Sequence, residues 1–462
     1  MSTGGRLLEA RAVKSRVIPE KDPLLTTGEV VLHLIKGNIG AGALSLPYAF
    51  AKVGIAAGPV FYLCVVVVCI YNMDLLLYCK RRVSPDGHGM SFGDVAKQIL
   101  GSGGKTVVNV FLVGTQLSFC CVYFTVVATN LHAILPARVA VDFDERQIIL
   151  LVFPVILALS WVRSLHHITP FSALANCAVL LGIGIVFFYS AQAYVPEAPA
   201  TPPIAFTWTS FPEFYGTAVY SFEGIGLVLP LENGMHEKAR FRCVLLWTMV
   251  FIMVLFLCLG ELPVLAFGTI DNGSMTAVLH QYFPGWPVAL ANVLMAVACL
   301  FTFPIQFYPA LEILEKLLLR RGFFTPTIQS YDGLMPLPVS QLQSRASAGS
   351  SSTARVPQVL DKALKNTTQY EVRRTMFRSM LCTTLMLVAV CVPNVGLLIS
   401  LFGAVGSSML AVTIPPILYV NLDGATLSWY SWTLHMLVAG AGIVGMVAGS
   451  FQAIVDIAST FE

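Results

Sequence analysis

The chain has 462 residues, of which 56% are hydrophobic and 11% are charged, whereas a soluble protein carries about 25% charged residues. Its 28 basic and 25 acidic side chains cannot cover so much apolar surface in water, which excludes an ordinary soluble fold. The net charge of +3 is too small to indicate a nucleic-acid partner, and we expect the lipid bilayer to surround most of the chain.

Apolar runs of about 20 residues predict eleven transmembrane helices. In chain order the runs cover residues 28–53, 55–79, 106–135, 147–162, 168–194, 212–232, 243–267, 287–315, 375–392, 394–420 and 428–457. The predicted fold is therefore an all-α integral membrane domain over 28–457, between an N-terminal tail, 1–27, and a short C-terminal tail, 458–462.

The distribution of basic residues predicts the orientation of these helices, because cytosolic segments of membrane proteins are enriched in lysine and arginine. With the tail 1–27 in the cytosol, eleven alternating spans place all but four of the 28 basic residues in cytosolic segments. The four exceptions are Lys36, Lys52, Arg138 and Arg146. We therefore predict a cytosolic N-terminus and a non-cytosolic tail at 458–462.

Two loops have predictions of their own. The loop 322–372 falls on the cytosolic side, and its small polar centre predicts disorder and a site for a cytosolic protein partner. Asn272 belongs to a glycosylation sequon in a non-cytosolic loop, so we predict that it is a glycosylation site.

Two of the predicted spans contain glycine-rich interruptions. The first contains Lys36-Gly37-Asn38-Ile39-Gly40-Ala41-Gly42, and the sixth contains Tyr220-Ser221-Phe222-Glu223-Gly224-Ile225-Gly226. Each leads into a Leu-x-Leu-Pro sequence, and the two lie five helices apart. Paired interruptions at corresponding positions are typical of transporters built from two inverted five-helix repeats.

The physics of lipid explains why such interruptions indicate a binding site. Irregular backbone inside a membrane leaves polar groups without partners, and this is tolerated only where they line a polar cavity. A half-helix that begins near Ala41 directs its free N–H groups towards an anion, and carbonyls near Ser221 and Phe222 accept hydrogen bonds from a cation. Together they suit a zwitterion. The alternative is that the glycines only permit close helix packing.

Charged and polar residues near the interruptions add three predictions. Lys36 and Glu223 have opposite charges near the middle of the membrane, where charges are usually paired, so we predict that they neutralise each other. His33 lies one helical turn before Gly37 and titrates near neutral pH, which suits proton coupling, although a packing role is the alternative. Thr302 is a weak candidate for a sodium site. We find no catalytic or metal-binding motif and predict neither an enzyme nor a cofactor.

The same residues resemble a known family. The first span, with His33-Leu34-Ile35-Lys36-Gly37-Asn38-Ile39-Gly40, resembles the first helix of the amino acid/auxin permease family, in particular its proton-coupled amino-acid transporters and their plant vacuolar relatives. The segment Phe222-Glu223-Gly224-Ile225-Gly226 is similar to the sixth helix of that branch, and Thr302-Phe303-Pro304-Ile305-Gln306-Phe307-Tyr308 to the eighth.

The resemblance implies a five-plus-five inverted repeat with an eleventh helix appended, as in leucine-transporter-like proteins. It also implies alternating-access transport of small neutral amino acids such as glycine, alanine and proline, coupled to protons through His33. The implied substrate-binding residues are Asn38, Ile39, Gly40, Ala41, Gly42, Ser221, Phe222, Glu223 and Gly224.

Other interpretations stay open at this point. The same fold is also compatible with sodium coupling or uncoupled transport, and a sensor would bind amino acids and signal through 322–372. The segment Glu20-Lys21-Asp22-Pro23-Leu24-Leu25 has the form of an acidic dileucine sorting signal for a vacuolar or lysosomal membrane, and the plasma membrane is the alternative.

Overall fold

The computed structural model describes residues 24–85, 89–136, 143–162, 169–194, 206–320 and 356–459. These residues form helices throughout, apart from one isolated β-bridge between Leu25 and Met235. The helices of the first half of the chain are α1 Thr27–Asn38, α2 Ala41–Leu44, α3 Leu46–Val53, α4 Ala57–Val83, α5 Phe92–Ala133, α6 Glu145–Ser160, α7 Thr169–Ala193, α8 Phe211–Ser221 and α9 Ile225–Gly234.

The second half continues after a short 3-10 turn, Lys238–Arg240. Its helices are α10 Phe241–Phe267, α11 Met275–Tyr282, α12 Trp286–Arg320, α13 Val356–Cys391, α14 Val395–Phe402, α15 Ile414–Asp423 and α16 Trp429–Ser459. A π-helical segment, Gly403–Thr413, joins α14 to α15.

The predicted count of eleven membrane spans is not confirmed. In the described part of the chain, 8 helices are long and apolar enough to cross a membrane, and a ninth span is formed if α1 and the helical segment Ala41–Val53 are counted together across their bend of 53°. Two predicted spans do not meet this criterion because of their length. Helix α6 has 16 residues, and the predicted sixth span is divided into α8 with 11 residues and α9 with 10.

Both predicted interruptions are breaks in the structure. Helix α1 ends at Asn38, and Gly40 has an extended backbone before α2 begins at Ala41. Helix α8 ends at Ser221, and Gly224 precedes the first residue of α9. Because the two breaks lie in helices that pack inside the bundle, the freed backbone groups face protein and not lipid.

Three features of the helices differ from the sequence prediction. The predicted tenth span contains the π-helical segment Gly403–Thr413, whose altered hydrogen bonding has no signature in the apolar pattern. Helix α5 begins at Phe92 and not near residue 106, because it continues through a kink at Gly101, which has a positive φ of 77°. Helix α13 begins at Val356, so residues 356–372 of the predicted disordered loop are helical. The centre of that loop, 343–353, lies outside the described residues, as do the tails 1–23 and 460–462.

The half-helices α1 and α9 are joined at the Leu25 end of the bundle. The Leu25 amide donates to the Gly234 carbonyl at 2.8 Å, and the His236 amide donates to the Leu25 carbonyl at 3.0 Å. Closer to the breaks, the hydrogen of Gly37 faces Leu227 at a distance that leaves no room for a Cβ atom. The two half-helices therefore form one packed unit.

A buried ion pair attaches this unit to α4. Lys80 Nζ lies 2.5 Å from Glu232 Oε2, and both side chains are 4% exposed. Lys80 also donates to Asn233 Oδ1 at 2.5 Å, and Arg81 Nε lies 3.3 Å from Glu232 Oε1. Because both charges of the pair are removed from water, each depends on the other for compensation.

We predict that Lys80→Met lowers the unfolding free energy by about 3 kcal/mol, because it leaves the Glu232 carboxylate buried with only the half-exposed Arg81 as partner. Replacing both residues with methionine is expected to restore most of this loss. Thermal unfolding of purified protein in detergent provides the measurement.

Lys105→Met is the matched control, because Lys105 pairs with Asp94 at 2.5 Å while the side chains are 33% and 42% exposed. Exposed pairs contribute about 0–1 kcal/mol. Equal unfolding temperatures for Lys80→Met and Lys105→Met would contradict the structural importance of the buried pair.

Candidate functional site

A cavity of about 280 Å³ lies where the two helix breaks meet. It contains every residue of the first interruption from Lys36 to Gly42, together with Ser221 and Glu223 of the second. The other lining residues are His33, Phe119, Tyr123, Asn176, Val179, Tyr220, Leu227, Leu231, Met295, Ala298, Cys299, Thr302, Ile305 and Gln306. Of the nine predicted substrate-binding residues, Phe222 is fully buried and Gly224 packs behind Asn38, so these two do not line the cavity.

The two breaks are held together by a hydroxyl. The Ser221 side chain donates to the Gly42 carbonyl at 2.7 Å, and it is also within hydrogen-bond distance of the Thr217 carbonyl, at 2.8 Å. Gly42 lies so close that a Cβ atom there would be 2.9 Å from the Tyr220 ring and 3.2 Å from the Ser221 Cα. The Gly42 carbonyl also accepts from the Ser45 amide at 3.1 Å, so the contact with Ser221 is an additional link between α2 and the end of α8.

Asn38 and Gly224 form the second contact between the breaks. The Asn38 amide nitrogen donates to the Leu34 carbonyl at 2.8 Å, which fixes the orientation of the side chain. Its oxygen, Oδ1, is buried and accepts no hydrogen bond within the described part of the chain. A Cβ atom at Gly224 would be 2.7 Å from that oxygen, so a side chain at this position would displace the Asn38 amide.

The predicted ion pair between Lys36 and Glu223 is not formed. Within the described residues, no carboxylate oxygen lies within 4.0 Å of Lys36 Nζ. The Glu223 carboxylate instead accepts a hydrogen bond from Ser407 of the π-helical segment. The prediction was wrong because it rested on the two interrupted spans alone, while the partner of Glu223 comes from the predicted tenth span.

The remaining wall of the cavity is formed by α5, α7 and α12. Tyr123 of α5 and Gln306 of α12 both line this wall, and the rings of Phe119 and Tyr220 have centroids 4.7 Å apart. Asn176 of α7 adds an uncharged polar group. This wall is therefore neutral, and the charged groups of the cavity are found at the breaks and on α1.

Two further predicted residues line the cavity. His33 is exposed and lies on α1, towards the Leu25 end of the cavity. The Thr302 hydroxyl donates to the Ala298 carbonyl at 2.7 Å, one turn earlier in α12. In the described part of the chain, no group of three His, Cys, Asp or Glu side chains has the arrangement of a metal site. A sodium site at Thr302 stays a prediction.

The opposite end of the bundle is tightly packed above the breaks. The buried Tyr48 hydroxyl donates to Glu213 at 2.7 Å, and the Ser45 hydroxyl donates to the Gly273 carbonyl. The neighbouring Asn272 is half-buried, and its side-chain oxygen accepts from the Ser274 amide at 2.8 Å. Glycosylation of Asn272 stays a prediction. The cavity extends towards the Leu25 end, because His33, Lys36, Leu227 and Leu231 all lie on that side of the breaks.

Ser407, Tyr123 and Gln306 were not predicted as site residues. Gly406-Ser407-Ser408 is a polar interruption within an apolar run, and this is the one local signal that could have indicated Ser407. Tyr123 and Gln306 occur in helical patterns that fit a buried packing role equally well.

The comparisons with known proteins extend over nearly the whole chain. A family model described as transmembrane amino acid transporter protein matches residues 25–455, which confirms the resemblance inferred from the motifs. The proton-coupled amino acid transporter-like protein pathetic of Drosophila melanogaster is 25% identical over 457 residues, or 95% of this chain and 86% of its own length. Amino acid transporter AVT3C of Arabidopsis thaliana is 26% identical over 465 residues, which cover 96% of this chain and 94% of its own length.

Solved structures also align with the chain. MhsT in complex with L-phenylalanine aligns over 92% of this chain and 98% of its own, with 11% identity and a TM-score of 0.44. Mhp1 in its inward facing conformation aligns over 95% of this chain and 93% of its own, with 15% identity and a TM-score of 0.46.

We predict that Gly42→Val lowers the unfolding free energy by about 3 kcal/mol, because the added side chain meets the Tyr220 ring and the backbone of Ser221. Gly40→Ala is the matched control, since no heavy atom lies within 4 Å of its added Cβ and its backbone is extended. Its effect is expected to stay within about 0.5 kcal/mol. Equal thermal stabilities of the two variants would contradict the contact between the breaks.

Proposed function

Because this chain belongs to the family of transmembrane amino acid transporter proteins, we propose that it carries small neutral amino acids across a membrane by alternating access, with protons as the coupling ion. The observation that carries the proposal is the cavity at the two helix breaks. Lys36 and Glu223 line this cavity without contacting each other, and its other wall is uncharged. A cavity with separated opposite charges is complementary to a zwitterion with a neutral side chain.

The arrangement of the half-helices supports alternating access. Helices α1 and α9 are packed together and are separated from α2 and α8 by the breaks, which can absorb changes in backbone dihedral angles. Movement of this unit would open or close the Leu25 end of the cavity. At the other end, the contacts of Tyr48 with Glu213 and of Ser45 with Gly273 would have to separate for the opposite opening.

The proposed coupling to protons is supported by titratable groups on the cavity. His33 lies on the half-helix that we expect to move, and Glu223 is bonded to the Ser407 hydroxyl, a group that can partner a protonated as well as an ionised carboxyl group. The name of the Drosophila relative also describes a proton-coupled amino acid transporter-like protein. Sodium coupling, through a site that includes Thr302, is the alternative.

We also propose a cytosolic N-terminus and residence in a vacuolar or lysosomal membrane. The orientation is supported by the distribution of lysine and arginine, and the location by the dileucine pattern, of which Glu20 to Pro23 lie outside the described residues.

Uptake into proteoliposomes tests the proposal. Purified protein is reconstituted, and uptake of radiolabelled glycine, alanine, proline, leucine, glutamate and lysine is measured under an imposed proton gradient and then under a sodium gradient. We expect accumulation of the small neutral amino acids with the proton gradient alone. Accumulation that requires sodium would refute proton coupling, and no saturable uptake of any amino acid would refute transport of amino acids.

We predict that His33→Gln abolishes uphill uptake driven by a pH gradient and largely preserves exchange of internal for external amino acid. Glutamine retains hydrogen-bonding groups but cannot take up a proton, so coupling to the pH gradient is lost. Exchange is retained because it does not require the empty protein to reorient and release a proton. Both activities are measured in the same vesicles.

His236→Gln serves as the control, because His236 follows α9 and does not line the cavity. If His33→Gln still concentrates substrate with an unchanged pH dependence, His33 has a packing role and the coupling site lies elsewhere, with Glu223 as the next candidate.

A further inference from the structure

Two polar groups of helix α1 lack partners although they line the same cavity. The first is the Lys36 ammonium group, which is half-buried and has no carboxylate within 4.0 Å among the described residues. Charges inside a membrane protein are costly when they are unpaired. Its counter-ion is therefore expected to come from outside the protein.

The second group is the side-chain oxygen of Asn38. This residue is 6% exposed, and its amide nitrogen is already bonded to the Leu34 carbonyl, which leaves Oδ1 as an acceptor only. A buried acceptor without a donor is destabilising. The oxygen lies beside Gly224, at the second break.

The two groups differ in the kind of partner they need. Lys36 requires an anion, and Asn38 Oδ1 requires a hydrogen-bond donor. They lie two residues apart on α1, and both line the same cavity. An α-amino acid carries a carboxylate and an ammonium group on one carbon atom, and it therefore supplies both missing partners in a single molecule.

We infer that the Lys36 ammonium group is the counter-ion of the substrate α-carboxylate and that Asn38 Oδ1 accepts a hydrogen bond from the substrate α-ammonium group. The inference rests on the proposed transport of amino acids and assigns the two poles of the substrate to named atoms. Because attraction between charges acts over several Å in a cavity of low dielectric constant, Lys36 does not need to touch the carboxylate.

The position of Asn38 connects binding to movement. In this structure Oδ1 is covered by Gly224, so the ammonium group reaches it when the two breaks separate slightly. The hydrogen bond gained by Asn38 then compensates for the lost contact between the breaks, and the substrate stabilises the more open arrangement.

The test uses the full-length protein and three probes of similar size. Alanine has both poles, alaninamide lacks the carboxylate, and propionate lacks the ammonium group. Competition with radiolabelled alanine is measured for the wild-type protein. We expect alaninamide and propionate each to bind at least 10-fold more weakly than alanine, since each loses one charge-assisted interaction. If the wild-type protein binds alaninamide and propionate as tightly as it binds alanine, the inference is overturned before any variant is made.

Two variants then assign the poles. Lys36→Met is expected to weaken alanine binding roughly 10- to 100-fold and to leave alaninamide binding unchanged or stronger, because the repulsion between two cations is removed. Asn38→Leu is expected to weaken alanine binding and to leave propionate binding unchanged. This opposite response to the two analogues is not expected from a general loss of structure.

Lys52→Met is the matched control, because Lys52 lies on the same interrupted span, outside the cavity, with its Nζ 5.3 Å from the centre of the Tyr48 ring. We expect it to bind all three probes as the wild-type protein does. If the ratio of the affinities for alanine and alaninamide is the same in Lys36→Met as in the wild-type protein, the assignment of Lys36 is wrong. The proposal of amino acid transport is not affected by that result. If the wild-type protein does not bind alanine, both the proposed alanine transport and the inference fail.

Discussion

The hydrogen bond from Ser221 to the Gly42 carbonyl is the interaction on which the cavity depends. A helix inside a membrane cannot be interrupted unless the freed backbone groups find partners in the protein. Here the Gly42 carbonyl, which also accepts from the Ser45 amide, accepts from the Ser221 side chain at the other break, and the absence of a side chain at Gly42 allows them to meet. The two interruptions therefore stabilise each other, and the space beside their contact is lined by polar backbone.

The charges of the cavity have different surroundings, and this difference gives the site its polarity. Glu223 accepts from the Ser407 hydroxyl of the π-helical segment, while Lys36 on α1 has no carboxylate within 4.0 Å in the described part of the chain. An internal ion pair between them would have neutralised the cavity. Their separation leaves one positive and one negative region, and a zwitterion is the simplest small molecule that satisfies both.

The contacts of α1 and α9 with each other at the Leu25 end, and of α9 with α4, determine how such a cavity can open. Leu25 pairs with the residues that follow α9, and the buried Lys80–Glu232 pair attaches α9 to α4. Because a buried charge cannot be left without compensation, this attachment favours discrete arrangements over gradual loosening. The half-helices are therefore expected to move as one body, and the breaks supply the flexibility that the movement requires.

The sequence by itself determined the membrane location, most helix positions and both breaks, because hydropathy and glycine placement are local properties of the chain. It also predicted that Asn38, Ser221 and Glu223 belong to one site, and the structure places all three on the cavity at the breaks. The bond between Glu223 and Ser407, the π-helical segment that presents Ser407, and the separation of Lys36 from Glu223 were decided by the tertiary structure. These features depend on which helices pack side by side, and residues 184 positions apart in the chain have no local pattern that records their contact.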